Sequence, residues 1–272
     1  MLRNDFSQNI QKPAVAGTFY PAHPGQLGRM LDSYLMEARP KTTSFPKALI
    51  SPHAGCIYSG PIAASAFVHW KDEPSRIKRI VLLGPSHHVE FSGIALNRAS
   101  AFATPLGTVA VDAEGVEQAA SVKGVSFFEE PYFREHALEM ELIFLQRILG
   151  EFAIVPMLIG CNTPRHQVSA VVDKLWGGND TVFVVSSDLS HYYDYRTAQL
   201  LDRHTADAIE SLQPDKIGME HACGWLAIQG LLDVAADKKL QPATVDLRNS
   251  GDTAGSRDAV VGYGAFTFTE KS

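Results

Sequence analysis

Short apolar runs recur along the chain, and each ends abruptly in polar or turn-forming residues. The four clearest runs cover residues 48–51, 80–84, 153–160 and 181–186. They are rich in Val, Ile and Leu and lack the polar alternation of a strand with one solvated face. Unbroken apolar runs of this kind are typical of strands that are buried on both faces. The pattern therefore predicts a mostly parallel central sheet.

Longer segments carry apolar residues at helical spacing. They predict helices at 24–38, 135–149, 197–212 and 224–236, and shorter apolar segments predict further edge or antiparallel strands at 92–96, 107–111, 243–247 and 260–269. Strands that alternate with helices indicate the α/β class. We expect a three-layer α/β/α sandwich. Because no linker or repeat interrupts the pattern, we expect a single domain over residues 1–272.

The composition narrows the range of partners. The formal net charge is −6 and no Lys/Arg cluster opposes it, which argues against nucleic acid or an anionic membrane as a partner. No apolar run approaches the ~20 residues of a membrane helix, and the first residues lack the apolar core of a signal peptide. Cys56, Cys161 and Cys223 are too scattered for a disulfide framework. We therefore expect a cytoplasmic protein that acts on a small molecule or a peptide.

Histidines follow three of the predicted buried strands, at the point where each strand ends. His53 follows the first strand, His87 and His88 follow the second, and His191 follows the run at 181–186. In open α/β sheets, ligands bind outside the carboxyl ends of the strands, where the connecting loops meet. We therefore expect these four histidines to converge on one polar pocket that is the functional site.

An anionic side chain beside these imidazoles would complete a metal site. Neutral imidazole is the commonest metal ligand, and two or three imidazoles with an anionic group suit iron, copper or zinc. The anionic candidates are Asp188, Glu139, Glu141 and Cys223. Cys223 lies at the start of a predicted helix, where the helix dipole stabilises a thiolate. Its pattern allows a metal ligand, a reactive nucleophile or an inert buried cysteine.

The roles of other residues near the predicted pocket stay open. His136 and Glu139, three residues apart at a helix start, form either an acid/base or orienting pair or an ordinary helix start with a solvated glutamate. Cys56 lies beside His53 in the sequence, and His221 lies beside Cys223, without a role that the sequence decides. The polar loop 249–257 is either a lid over the pocket or an exposed connection.

A set of motifs distributed over most of the chain resembles the Memo family. The motifs are Ala-Gly-Thr-Phe-Tyr-Pro at 16–21, Pro-His-Ala-Gly at 52–55, Gly-Pro-Ser-His-His at 84–88, Thr-Pro-Leu-Gly at 104–107, Glu135-His136 with Glu139, Ser-Ser-Asp at 186–188 with His191, Cys223-Gly224, and Val-Gly-Tyr at 261–263. The resemblance runs from about residue 12 to the end of the chain. It is specific because the motifs occur together in this order.

The resemblance implies a fold and a set of site residues. The family is similar in fold to the LigB-type class III extradiol dioxygenases, which hold non-haem iron(II). By the family pattern, the metal ligands are His53, His87 and Cys223, while His191, Asp188 and His136 line the same pocket. A cysteine then stands where the dioxygenases use a carboxylate. Because a thiolate is a softer ligand, it changes the metal preference and the redox potential.

Three hypotheses follow, and the first is the leading one. It is a metal-dependent, dioxygenase-like redox enzyme that holds Fe2+, with copper and zinc as alternatives, in which His191 is the acid/base and Asp188 orients it or a ligand imidazole. The second, which the resemblance implies, is an adaptor without chemistry that binds a phosphotyrosine peptide in the same cleft. The third, implied by the resemblance alone, is a partner of AMMECR-type and radical-SAM proteins in a modification pathway.

Overall fold

The computed structural model describes residues 7–42 and 44–270 of the chain. The strands are β1 (Ser7–Gln11), β2 (Pro46–Ser51), β3 (Arg79–Pro85), β4 (Ile94–Leu96), β5 (Ala99–Thr104), β6 (Gly107–Val111), β7 (Val125–Phe127), β8 (Ala153–Ile159), β9 (Thr181–Ser186), β10 (His191–Tyr193), β11 (Gln241–Asn249) and β12 (Val260–Thr269). The helices are α1 (Pro24–Glu37), α2 (Cys56–Phe67), α3 (Ala113–Ala120), α4 (Ala137–Ile148), α5 (Arg165–Lys174), α6 (Tyr195–Glu210) and α7 (Trp225–Asp237). The single domain predicted over 1–272 includes residues 1–6, 43 and 271–272, which lie outside the described residues.

The described strands form one mixed sheet with a parallel centre. Its order is β1-β5-β6-β8-β3-β9-β2-β12-β10, with β11 paired to β12 and β4 paired to β7 and β8. The four strands predicted from unbroken apolar runs, β2, β9, β3 and β8, are neighbours and run parallel to one another. β12 is antiparallel to β2, and β11 is antiparallel to β12. The predicted mostly parallel central sheet is confirmed.

Helices cover both faces of this sheet, because its central strands are apolar on both faces. Side chains that alternate along β3 enter two different clusters: Leu82 packs with α1, α2 and α4 on one face, whereas Val81 and Leu83 pack with α5 and α7 on the other. All three side chains are fully buried. The α/β fold class and its three layers are therefore confirmed. No helix of the described residues is long and apolar enough to cross a membrane.

The apolar pattern did not predict α2, α3 or α5. Helix α2 is rich in small residues and contains Gly60 and Pro61, so it has no amphipathic stripe. It is buried on most sides, and a Cβ at Gly60 would lie 2.6 Å from the ring of Tyr34 on α1. The absence of a side chain at Gly60 therefore lets α1 and α2 pack closely. Helix α2 lacks an amphipathic stripe because it is buried on most sides.

The parallel centre determines where the loops meet. β2, β3 and β9 end at Ser51, Pro85 and Ser186, and β2 pairs with β9 so that Ser51 lies opposite Ser186. The loops that follow these three strands therefore leave the sheet at the same edge. The backbone N–H of Ser187 donates to the Ser51 carbonyl at 2.8 Å, which ties two of these loops together.

Candidate metal centre

Three histidine side chains meet at this edge of the sheet. One ring nitrogen from each of His53, His87 and His136 lies within 4.8 Å of the others. His53 follows β2, His87 follows β3, and His136 directly precedes α4. The ring centroids are 5.1 Å apart for His53 and His87, and 4.8 Å apart for His87 and His136. Each ring therefore presents a nitrogen to the same small volume, as metal ligands do.

Glu135 fixes two of these histidines. Its carboxylate accepts the ring Nδ1–H of His87 at 2.8 Å and the backbone N–H of His87 at 2.7 Å. It also accepts the backbone N–H groups of His136 and Ala137, both at 2.9 Å. Because Nδ1 of His87 donates to Glu135, its Nε2 is the nitrogen that faces the cluster. This carboxylate–histidine arrangement is the one that orients imidazole ligands in metal sites.

The charges of Glu135 and His87 stabilise each other. Burial tends to raise the pKa of Glu135, but the hydrogen bond and the charge of His87 outweigh it and lower that pKa to about 2. Burial also tends to lower the pKa of His87, and hydrogen bonds with Cys223 and Glu135 outweigh it and raise that pKa to about 10. A metal ion must therefore displace a proton from His87 when it binds.

The other two histidines are neutral at neutral pH. Burial, reinforced by the charges of His87 and His88, lowers the pKa of His136 to about 4, although Glu135 opposes the shift. Burial lowers the pKa of His53 well below its usual range, and the neighbouring histidines add to the effect. Neutral imidazole is the form that binds a metal ion.

His53 is held from three directions and is 1% exposed. Its backbone N–H donates to Asp188 Oδ1 at 2.8 Å, and its Nδ1 lies 2.7 Å from Ser186 Oγ. Its Nε2 lies 3.3 Å from the sulfur of Cys223. The side chain is therefore fixed with Nε2 directed toward the thiol and the other histidines.

Cys223 lies two residues before α7 and belongs to the same group. Its sulfur accepts the backbone N–H of Asp188 at 3.3 Å, and its own N–H donates to the Asp188 carbonyl at 3.2 Å. The side chain is partly exposed and contacts His53, unlike the fully buried Cys56. Three imidazoles and a thiol are donors that suit iron, copper or zinc, so the residues present fit a metal ion of this class.

Asp188 and His191 line the same cavity. Burial raises the pKa of Asp188 to about 7, although the hydrogen bond from the His53 backbone opposes the shift. Burial lowers the pKa of His191, which stands at the first residue of β10. The structure thus brings together His53, His87, His136, Cys223, Asp188 and His191, the six site residues selected from the sequence.

The cluster forms the floor of a cavity of about 1040 Å³. Residues 17–21 form one wall, the starts of α1 and α2 form a second, and Ser250, Gly255 and Ser256 border a third side. Loop 249–257 is therefore a wall of the cavity rather than a remote connection. The aromatic lining residues are Phe19, Tyr20, Tyr58, Tyr192 and Tyr263. Within the described part of the chain, no Lys or Arg lines the cavity.

Glu139 and Glu141, two candidates for the anionic group of the site, lie outside the histidine cluster and have other partners. Glu139 does not pair with His136 as an orienting partner. It accepts hydrogen bonds from the backbone N–H of Val15 at 3.1 Å, the backbone N–H of Ala14 and the hydroxyl of Tyr20. It therefore anchors the cavity wall formed by residues 17–21, the N-terminal wall. Glu141 is fully buried behind the floor and lies 2.6 Å from Ser186 Oγ.

Three further candidates lie outside the cluster. His88 is exposed and does not line the cavity, with its ring centroid 6.5 Å from those of His87 and His136, so the expectation that it lines the pocket is wrong. Cys56 is in the hydrophobic core, where burial raises the pKa of its thiol to about 12. His221 accepts the backbone N–H of Gly218, and its ring contacts that of His204 at a tilted angle; it does not line the cavity.

Two residues of the site were not singled out from the sequence. The sequence presents Glu135 only as part of a motif, although it directly precedes His136. Ser186 is the last residue of β9, a polar residue at the end of a buried strand. The signal that they share is position, because Glu135 directly precedes His136 and Ser186 stands two residues before Asp188.

The chain is similar to proteins of one family. A family model described as "Memo-like protein" matches residues 11–267. A protein named MEMO1 family protein from Sulfolobus acidocaldarius is 33% identical over 279 residues, with 93% of this chain and 97% of that protein covered. Proteins of the same name from Aquifex aeolicus and Thermotoga maritima are 32% and 33% identical, with the same coverage.

Proposed function

Since this chain belongs to the Memo family, we propose that its histidine cluster binds a metal ion and that the protein is a metal-dependent redox enzyme with iron(II) as the resident metal. One observation carries the proposal. Three ring nitrogens lie within 4.8 Å of one another at the floor of a cavity. Imidazoles this close to one another repel when more than one is protonated, and a shared metal ion gives their lone pairs a partner.

Four residues would hold the metal. His53, His87 and His136 offer imidazole nitrogens, and Cys223 offers a sulfur 3.3 Å from the Nε2 of His53. Imidazole with a thiolate suits iron, copper and zinc more than magnesium or calcium. We take iron(II) as the first candidate, and copper and zinc are the alternatives that the experiment below separates.

The chain's own groups supply orientation and proton transfer. Bound iron would supply Lewis acidity and one-electron redox chemistry. Glu135 fixes the ring of His87, and Asp188 fixes the backbone of His53. His191 lines the cavity, and its lowered pKa keeps it neutral at neutral pH, so it can accept a proton from a substrate hydroxyl.

The cavity wall favours an uncharged organic substrate over a phosphorylated peptide. Arginine is the usual clamp for phosphate, and among the described residues the cavity lining contains neither Lys nor Arg. The lining instead offers aromatic side chains. The adaptor hypothesis, in which an anionic phosphopeptide occupies this cleft, is therefore our second candidate rather than our first.

Metal content tests the proposal directly. We expect anaerobically purified wild-type protein to contain close to one iron per chain by mass spectrometry of the metals, and the variant His87→Ala to contain little. His88→Ala is the matched control, because His88 is the next residue but does not line the cavity. Replacing it should leave the metal content at the wild-type level.

Three results would decide against parts of the proposal. Negligible iron, copper and zinc in the wild type would remove the metal centre. Equal loss in His88→Ala and His87→Ala would show that the loss is not local to the cluster. Phosphotyrosine binding to the metal-free protein, without turnover of any organic substrate under oxygen, would favour the adaptor function.

A further inference from the structure

A buried hydrogen-bond chain runs from His53 away from the cavity into the protein. Nδ1 of His53 lies 2.7 Å from Ser186 Oγ, and that oxygen lies 2.6 Å from Oε1 of Glu141. Ser186 Oγ is also 2.7 Å from the carbonyl oxygen of Ala137. Ser186 and Glu141 are both 0% exposed. Neither residue touches the cavity, so the proposed chemistry does not use them directly.

The number of available protons limits the possible protonation states of this hydrogen-bond chain. Ser186 has one O–H and two lone pairs. The carbonyl of Ala137 can only accept, so the Ser186 O–H donates to it when all three contacts are made. His53 and Glu141 must then both donate to Ser186 Oγ. His53 does so as the Nδ1–H tautomer, and Glu141 does so as a protonated carboxyl group.

The surroundings of Glu141 agree with a protonated carboxyl. Within the described residues, Glu141 forms no ion pair, and the partners nearest to it are hydroxyl groups. Burial raises its pKa well above the usual value, although hydrogen bonds with the neighbouring serine hydroxyls oppose the shift. An ionised carboxylate without a counter-ion in this position would carry a large desolvation cost.

We propose that Glu141 is a positioning residue: its protonated carboxyl, acting through Ser186, fixes His53 as the Nδ1–H tautomer and leaves Nε2 free for a metal ion. The consequence for metal affinity rests on the proposed function, whereas the tautomer exists with or without metal. If Nε2 carried the proton instead, His53 would present an N–H to Cys223 and the other histidines. Its lone pair would then face Ser186.

The tautomer can be measured in metal-free protein. We expect the ring 15N resonances of His53 in the metal-free wild type to show protonated Nδ1 and unprotonated Nε2. Ser186→Ala and Glu141→Leu should give a mixture of tautomers, and Glu141→Gln should keep the wild-type pattern, because its neutral amide can also donate to Ser186. Protonated Nε2 in the wild type would overturn the proposal, even if the protein binds no metal.

Metal affinity, measured by competition with a chelator, tests whether Glu141 acts through Ser186. Removing an outer partner of a ligand histidine typically costs about 10–100-fold in affinity, and we expect Ser186→Ala and Glu141→Leu each to lose about tenfold or more. The double variant should lose no more metal affinity than Ser186→Ala alone, because both substitutions interrupt the same hydrogen-bond chain. Losses that multiply would overturn the proposal.

The variant Glu141→Gln distinguishes the proposed hydrogen-bonding role of Glu141 from a requirement for a negative charge and from a role in folding. We expect it to retain the wild-type affinity and the wild-type thermal unfolding midpoint. Loss of affinity equal to that of Glu141→Leu would mean that a negative charge is required, which contradicts the protonated carboxyl. If Glu141→Leu does not fold, Ser186→Ala and Glu141→Gln decide the question alone.

Discussion

The floor and the N-terminal wall of the cavity are held by glutamates four residues apart, yet they are built differently. The floor consists of His53, His87 and His136, and Glu135 joins it with four hydrogen bonds. The wall consists of residues 17–21, an irregular segment that Glu139 anchors through residues 14, 15 and 20. Two of the three floor histidines follow buried strands and the third directly precedes α4, whereas the wall depends on a few hydrogen bonds to Glu139.

The difference suggests a division of roles. Side chains at the ends of buried strands have little freedom, so they suit a metal centre, which needs precise ligand positions. An irregular segment that is held by few bonds opens more easily than a core element. We therefore expect floor variants to change metal binding and stability together, and wall variants to change stability without changing metal affinity.

The largest effect is expected for Glu135→Ala. It leaves the donors of His87, His136 and Ala137 without their acceptor. Because the ion pair with His87 is only partly buried, we expect a loss at the lower end of the range for buried pairs, about 3 kcal/mol. Urea unfolding of metal-free protein should show this loss. The exposed Glu117 on α3 offers a control, since Glu117→Ala should stay within about 0.5 kcal/mol of wild type. Equal stability of the two variants would contradict the role assigned to Glu135.

Metal removal should have the next largest effect. A metal ion at about 100 times its dissociation constant stabilises the folded state by about 2.7 kcal/mol. A chelator should therefore lower the unfolding midpoint of wild-type protein and of His88→Ala, and leave that of His87→Ala unchanged. A midpoint shift in His87→Ala as large as in the wild type would place the stabilising metal elsewhere.

Glu139→Ala should destabilise the protein by about 2 kcal/mol, because it leaves the N–H groups of Ala14 and Val15 and the hydroxyl of Tyr20 without their acceptor. Its metal affinity should equal that of the wild type, measured by chelator competition. A clear loss of metal affinity would break the distinction between floor and wall, because the wall would then position the ligands.

Tyr20→Phe should have the smallest effect, about 1 kcal/mol, since it removes one hydrogen bond and keeps the ring. Burial raises the pKa of Tyr20, so the hydroxyl remains a donor to Glu139 at all ordinary pH values. Thermal unfolding measures the loss. In a double variant with Glu139→Ala, the further loss should be smaller than in the wild type, and full additivity would show that the two residues act separately.

Much of the fold could be predicted because burial leaves a clear pattern. The runs at 80–84 and 181–186 became β3 and β9, with bounds that differ by one residue or not at all. Two of the three helices that were missed, α2 and α5, have either no polar face or few apolar residues. Periodicity detects a helix with one buried face, so both departures from that case reduce the signal.

The site was predicted less completely, and the reason is geometric. His53 and His87 could be selected because they follow parallel strands, whose ends meet at one edge. The different roles of His136 and Glu139 could not be predicted from strand ends, because both residues lie at the start of a helix. Glu135 stands before the helix, in non-helical backbone, so its direction does not follow from the helical period, and Glu139 points to another loop.

The sequence by itself determined the apolar strands, the edge at which their loops meet, and the residue types that arrive there. Only the tertiary structure decided that His136 joins His53 and His87 while His88 does not, and that Glu135, Glu139 and Glu141 serve the floor, the wall and the buried hydrogen-bond chain. The physical reason is that burial is encoded by spacing along the chain. Hydrogen-bond partners are determined by the directions in which side chains point. These directions depend on how segments more than a hundred residues apart in the sequence pack together.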